Sequence, residues 1–361
     1  MEFKKVLIDA ATPLERGIQH GEAAKEWIQR GLEGYKKTFM DDFGQSWESV
    51  QARAMAYVPF LEKGFSDLIE EVRGIGIGAG LCFEDIMMLN TRYELLKFPV
   101  QECTSWAVLP EASENGHTYL GMNWDNVPWM QKSALLLEIH ENENLRCFCM
   151  TEAGQLVRHG FNSYGVAVGT NNLLSTADSS GLGVPTNFMR RRILTSKSLA
   201  EAVESVKKSP RSVSCNLMIG SAEGMACDCE VNPARHIELH PVQGILTHAN
   251  HFAAGRDICR NKGANFRDVR LYSLLERKRG HIDVAFIQEC LKDHFKADPT
   301  SHEAICKHTP LPGESIAVNH LKASVTIASQ IYDLTDCRAW ICYGNPCHGE
   351  YTEYSIEKAE K

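Results

Sequence analysis

Residues 101–110, QECTSWAVLP, set a cysteine at the head of a short alternating run. Trp106 and Val108 fall on one face, Ser105, Ala107 and Leu109 on the other, and Pro110 ends the run. Period-two alternation closed by proline reads as a β-strand that begins at Cys103 or Thr104. The reading turns on why a thiol opens a strand more than a hundred residues into the chain.

The texture of the sequence changes at this point. Before it, residues 14–40, 47–73 and 83–96 carry apolar side chains at helical spacing, with Glu84 and Asp85 in the first turn of the last segment. The glycine-rich RGIGIGAG at 73–80 reads as a helix-to-helix connector. A phosphate-cradling loop would need a strand ahead of it. After Cys103 come TSWAVLP and HTYLGMNWD around Asn115-Gly116, a hairpin signal. SALLLEIH, RCFCMTEA and YGVAVGTNN follow as strands, then a helical stretch at 187–208. CNLMIGSA, MACDCEV and GILTHANHF are strands again, 266–294 reads as two helices, and ASVTIASQIYDL with RAWICYGN forms a last strand pair. Strands and helices in blocks imply α+β layers, not an alternating parallel sheet. The chain divides into a helical segment, 1–102, and a larger domain, 103–361.

Composition narrows the function. The net charge of −8 disfavours nucleic-acid binding, which depends on Lys and Arg neutralising phosphates. No apolar run approaches the roughly 18 residues that span a bilayer, so no membrane association is expected. The N-terminal residues read as no secretory signal. Thirteen cysteines without an export signal point to a reducing, cytoplasmic compartment.

A cysteine nucleophile needs a group to take its proton. One solution is a histidine oriented by a third residue. The other is a cysteine at a chain N-terminus, whose own α-amine, with a pKa of about 7.7–8.0, acts as the base. Cys103 reaches the second state only if the Glu102–Cys103 bond is cut, through attack of the thiol on the preceding carbonyl and hydrolysis of the thioester. Asp125 and Asn123, in GMNWDN on the return strand of the hairpin, can stand beside the thiol, and a carboxylate there can orient an ammonium. Turn chemistry ahead of Pro128 is the plain alternative for Asp125. Asn250, between His248 and His251, can donate to an oxyanion or simply open a loop. Two rivals stand beside this scheme. In one, Cys103 pairs with a histidine in an intact chain. In the other, the cysteines hold zinc in an interaction module: Cys147/Cys149 and Cys227/Cys229 are C-x-C pairs, and Cys337, Cys342, Cys347 and His348 cluster late. The C-x-C pairs sit in apparent strands, where i and i+2 share a face, so core packing is the favoured reading and no metal ligand is assigned.

ECTSWAVLP, GMNWD, YGVAVGTNNL, THANHF, LKDHFKADPTSHEAICKH and ASVTIASQIYDL…RAWICYGNPC occur in the order found in the acyl-coenzyme A:6-aminopenicillanic acid acyltransferase family, which the sequence resembles over nearly its whole length. Members are N-terminal-nucleophile hydrolases, of peptidase family C45. The resemblance implies a four-layer αββα sandwich with a helical pro-segment over 1–102 and self-cleavage between Glu102 and Cys103. It implies that Cys103 supplies nucleophile and α-amine, Asp125 the polar partner, Asn250 an oxyanion donor, and Asn171 a lining residue of the acyl site. The family often has glycine where this chain has Glu102. It also uses an arginine on a late strand, a role for which only Lys322 and Arg338 offer themselves. The implied activity is that of an amidohydrolase or acyltransferase acting through an acyl-enzyme on a small acyl substrate. No cofactor is required, and acyl-coenzyme A enters as co-substrate where transfer dominates. The cleaved N-terminal segment is the expected protein partner. The stretch 124–130 reads as core or as a wall of the acyl pocket.

Overall fold

The computed structural model describes residues 1–96, 103–260, 266–301, 303–308 and 324–360. Two sheets lie face to face. The larger has the order β1 (Lys5–Ile8), β4 (Ala134–His140), β5 (Arg146–Glu152), β6 (His159–Asn162), β7 (Val166–Asn172), β8 (Cys215–Ser221), β9 (Met225–Val231), β10 (His236–Leu239). The smaller runs β11 (Ile245–His248), β2 (Thr104–Val108), β3 (Tyr119–Asn126), β12 (Val325–Asp333), β13 (Arg338–Tyr343), β14 (Tyr351–Ser355). Strand β1 joins β4 in parallel, and the remaining pairs are antiparallel.

Helices cover both outer faces. Against the larger sheet lie α1 (Pro13–Lys37), α2 (Trp47–Met55), α3 (Val58–Leu61), α4 (Ser66–Ala79), α5 (Phe83–Leu96), α6 (Thr186–Ile193) and α7 (Leu199–Lys208). Against the smaller lie α8 (Arg267–Leu275) and α9 (Val284–Leu291). The result is an αββα sandwich, as the resemblance implies and in line with the α+β layers read from the sequence.

Strand β2 shows how alternation builds the layers. Trp106 and Val108 pack outward on Leu271, Leu274, Leu275, Ile287 and Leu291 of α8 and α9. Ala107 and Leu109 face the core between the sheets, with Leu120, Met122, Val166 and Val168. The two faces are those read from the sequence. Met122, Trp124, Val127 and Met130 are also buried in that inner core.

Three local expectations are corrected. Residues 1–102 are not wholly helical: β1 alternates exposed and buried side chains and becomes an edge strand of the larger sheet. The glycine-rich 73–80 stretch is not a connector. Gly74, Gly76 and Gly78 lie inside α4, and only Gly80, at φ +67°, caps it. Their purpose is contact, because α1 and α4 cross glycine to glycine. A Cβ at Gly74 would sit 2.0 Å from Leu14 O and one at Gly78 2.2 Å from Ile18 O; across the pair, a Cβ at Gly17 would sit 2.0 Å from Glu71 O and one at Gly21 2.3 Å from Ile75 O. The backbone-entropy penalty of glycine in a helix is offset by this close approach. Finally, the closing strand pair is three strands, since β14 adds to β13.

Candidate active site

Cys103 sits at the head of β2, where that strand meets β3 on one side and β11 on the other. Its thiol is buried, 2% exposed, and donates to the backbone carbonyl of Asp125 at 3.5 Å. Its own carbonyl accepts from Asn171 Nδ2 at 2.9 Å. Asn171 comes from β7 on the facing sheet and is held in turn, its Oδ1 accepting from Ser105 Oγ at 2.5 Å and Asn216 Nδ2 at 2.9 Å. The side chain placed by resemblance in the acyl site therefore clamps the backbone of Cys103.

Burial pushes the Cys103 thiol up to about 11, and the nearby Asp125 carboxylate pushes the same way; Arg158 and Arg267 oppose them. The thiol is therefore held in its protonated form at neutral pH. Among the described residues no histidine touches the thiol. The histidines of THANHF are engaged elsewhere: His248 Nε2 lies 2.9 Å from Glu230 Oε1, and His251 Nε2 lies 3.5 Å from Asp268 Oδ2.

Asp125 is fully buried. Thr326 Oγ1 donates to its Oδ1 at 2.6 Å, while Oδ2 has no hydrogen-bond partner among the described residues. Burial raises its pKa to about 8 against the pull of Arg267 and the Thr326 hydroxyl. A buried carboxylate oxygen without a donor is costly in its charged form, and a cation placed there would reverse that.

Asn250 follows β11. It lies two residues past His248, which pairs with Ser105 at the end of that strand. Its Nδ2 donates to Asn172 O at 3.1 Å, and its Oδ1 accepts from Arg267 Nη2 at 3.0 Å. Arg267, the first residue of α8, is completely buried, and its charge acts on both Asp125 and Cys103.

The sequence reading missed Arg267 because it looked for the cation on a late strand. Arg338 is on β13, half-exposed at its side chain and paired with Glu353 at 3.4 Å, and Lys322 lies outside the described residues, as does Glu102. A second missed cation is Arg158, in the β5–β6 turn. It stacks on Trp124 at 4.7 Å, bonds Glu152 Oε1 at 3.0 Å and acts electrostatically on Cys103. Glu152 also binds Arg92 of α5 at 2.5 Å and the hydroxyl of Tyr35 of α1. No local spacing signals any of these residues, since each comes from a distant part of the chain.

The C-x-C cysteines are core residues. Cys147 Sγ donates to Leu194 O at 3.3 Å and Cys149 Sγ to Leu137 O at 3.7 Å, while Cys227 and Cys229 lie 3.8 Å apart on β9. Of the late cysteines, Cys337 bonds the backbone at Asn162 and Ser163 and Cys342 is buried in β13. Cys347 alone of that group meets other potential metal ligands.

Residues 112–348 match the acyl-coenzyme A:6-aminopenicillanic acid acyl-transferase family, a span that holds Asp125, Asn171 and Asn250 and begins shortly after Cys103. The acyl-coenzyme A:6-aminopenicillanic-acid-acyltransferase 40 kDa form of Emericella nidulans is 28% identical over 242 residues, 66% of this chain and 67% of that protein. Among solved structures, the conjugated bile acid hydrolase of Clostridium perfringens is 14% identical, with a TM-score of 0.45 over 71% of this chain and 98% of the other. The penicillin V acylase of Agrobacterium tumefaciens is 12% identical, with a TM-score of 0.47 over 70% of this chain and 86% of the other. The chain belongs to the acyl-coenzyme A:6-aminopenicillanic acid acyl-transferase family.

Proposed function

From that membership we propose that the protein is a cysteine N-terminal-nucleophile amidohydrolase or acyltransferase, activated by cleaving its own Glu102–Cys103 bond. The observation that carries the reading is the pairing of a buried, protonated Cys103 thiol, without a histidine among the described residues, with a buried Asp125 oxygen that has no donor. Among its described residues the intact chain sets a thiol there with no histidine base. Cleavage would supply a base.

In the activation step, Cys103 Sγ attacks the carbonyl carbon of residue 102. The C–N bond breaks, the thiol proton passes to the departing nitrogen, and a thioester replaces the amide. Water then opens the thioester, releasing a carboxylate at residue 102 and a free thiol and α-amine at Cys103. Asn171, by gripping the Cys103 carbonyl, holds the backbone for this transfer. The new ammonium would stabilise the charged form of Asp125, whose backbone carbonyl already accepts from the Cys103 thiol.

In turnover the α-amine takes the thiol proton and the thiolate attacks the acyl carbonyl of the substrate, an amide or a thioester. The Asn250 amide and backbone N–H groups stabilise the oxyanion. The leaving group takes the proton back from the ammonium, and the acyl-enzyme is opened by water or by an amine. Hydrolysis needs no cofactor on this scheme; acyl-coenzyme A serves as the acyl donor in transfer. No disulfide joins the described cysteines, which supports a reducing, cytoplasmic setting.

The two products should stay together. The N-terminal segment supplies β1 to the larger sheet, and Arg92 and Tyr35 to the buried Glu152 network. Intact mass measurement of wild type beside Cys103→Ala tests the proposal. Wild type should give two chains, 1–102 and 103–361, that co-elute before denaturation, and Cys103→Ala a single chain. An uncut wild type that hydrolyses amides through Cys103 would overturn self-activation.

A further inference from the structure

A four-ligand cluster lies beside the Asp125 strand end, assembled from places the sequence keeps apart. His294 follows α9, Cys306 and His308 flank Lys307, and Cys347 follows β13. His294 Nε2 and His308 Nε2 are 3.2 Å apart, and Cys306 Sγ and Cys347 Sγ 3.5 Å. His308 Nε2 is 3.6 Å from Cys306 Sγ and 3.1 Å from Cys347 Sγ, and the four atoms all lie within 4.8 Å of one another.

We propose that His294, Cys306, His308 and Cys347 bind one zinc ion in a closed, tetrahedral, structural site. Tetrahedral zinc with bonds of about 2.3 Å to sulfur and about 2.0–2.1 Å to nitrogen has edges of about 3.3 Å between nitrogens and about 3.8 Å between sulfurs. The N–N and S–S separations found here fall within a few tenths of an ångström of those edges. Two thiols and two imidazoles are a donor set that selects zinc among the divalent ions a protein meets with oxygen ligands. Hydrogen bonds among the four are a poorer account, because each pair needs one partner to donate while the Sγ and Nε2 atoms converge on a common centre. A supporting amide is also in place: Asn345 Nδ2 lies 3.7 Å from Cys306 Sγ and donates to Lys307 O at 2.6 Å, so it steadies both the ligand and its loop.

The site ties two layers together. Its ligands join the loop after α9 to the turn after β13, next to Asn123, whose Nδ2 donates to Leu291 O and Ile305 O, each at 2.9 Å. Lys307, between two ligands, exchanges bonds with Thr326: Lys307 N donates to Thr326 Oγ1 at 2.8 Å, and Thr326 N to Lys307 O at 2.9 Å. Thr326 in turn donates to Asp125. The ion therefore fixes the loop that positions the hydrogen-bond donor of Asp125, while touching no reacting atom.

Metal analysis tests the site without reference to catalysis, so its failure and that of the proposed function are separable. Tag-free protein grown with added zinc, then dialysed, should carry about one zinc per chain. X-ray absorption on that wild-type protein should show two sulfurs and two nitrogens around the ion. Zinc should fall to background in Cys306→Ser with Cys347→Ser and stay bound in Cys342→Ser, which alters a neighbouring cysteine outside the set. The absorption spectrum stands even if the double variant does not fold. Folded wild type without zinc, zinc with a shell other than two sulfurs and two nitrogens, or a thiol count showing Cys306 and Cys347 joined as a disulfide, would each overturn the proposal.

Discussion

Arg267 Nη2 donates to Asn250 Oδ1 at 3.0 Å, and the same buried guanidinium lowers the pKa of both Asp125 and Cys103. One side chain thus links Asn250 to the Cys103 thiol and the Asp125 carboxylate. Arg267→Met removes a charge that opposes burial at both groups together, and their charged forms become harder to reach. Appearance of the 103–361 chain should slow by about 10- to 100-fold, the equivalent of one to two pKa units. Its pH dependence should move to higher pH, and Arg267→Lys should recover part of the rate. A slower but unshifted pH profile would show that Arg267 acts through packing alone.

Asp125 makes the uncut chain sensitive to pH in a defined direction. Its folded pKa, about 8, lies above the ordinary carboxylate value, so the folded state holds a proton that the unfolded state has released. Stability then falls as pH rises from about 4 to about 8, by at most about 1.4 kcal/mol per unit from this group. Urea unfolding of Cys103→Ala across that range should show a steeper loss than the same chain with Asp125→Asn added. Equal slopes would mean that Asp125 is charged in the uncut chain.

The Asn171 amide grips the Cys103 carbonyl from the opposite sheet. Asn171→Ala leaves Ser105 and Asn216 without their shared acceptor and frees the Cys103 backbone. Self-cleavage should slow about tenfold, the worth of one well-placed hydrogen bond. Time-resolved mass measurement reads this directly, and an unchanged rate would remove Asn171 from the activation step.

The glycine crossing of α1 and α4 should tolerate no side chain. Gly74→Ala forces a methyl group into Leu14 O, and the helices must separate at a cost of about 1–3 kcal/mol or more. Gly64→Ala, where a Cβ meets nothing within 4 Å, is the matched control. Thermal unfolding should separate the two clearly; equal midpoints would mean the helices part without penalty.

Much of the layer structure was legible because alternation is local. The faces of β2 follow from Trp106 and Val108 against Ala107 and Leu109, and the hairpin to β3 from Asn115-Gly116. Four-residue strands such as β1, β6 and β10 carry too few residues for a period to stand out from the sequence. The glycines of α4 misled for a related reason: a breaker composition marks a loop unless a partner helix fills the space a side chain would take, and that partner, α1, lies some fifty residues away.

By itself the sequence determined α+β layers and the strand that begins at Cys103, because periodicity is a property of neighbours along the chain; the sandwich and the acyl-transfer residues followed from the resemblance carried by the ordered motifs. Tertiary structure decided what surrounds the thiol. It brought Asn171 to its carbonyl, Arg267 to Asn250 and Asp125, and four metal-binding side chains to one point, because charge and coordination depend on distance in space, which strand pairing and helix packing set only after the chain has folded.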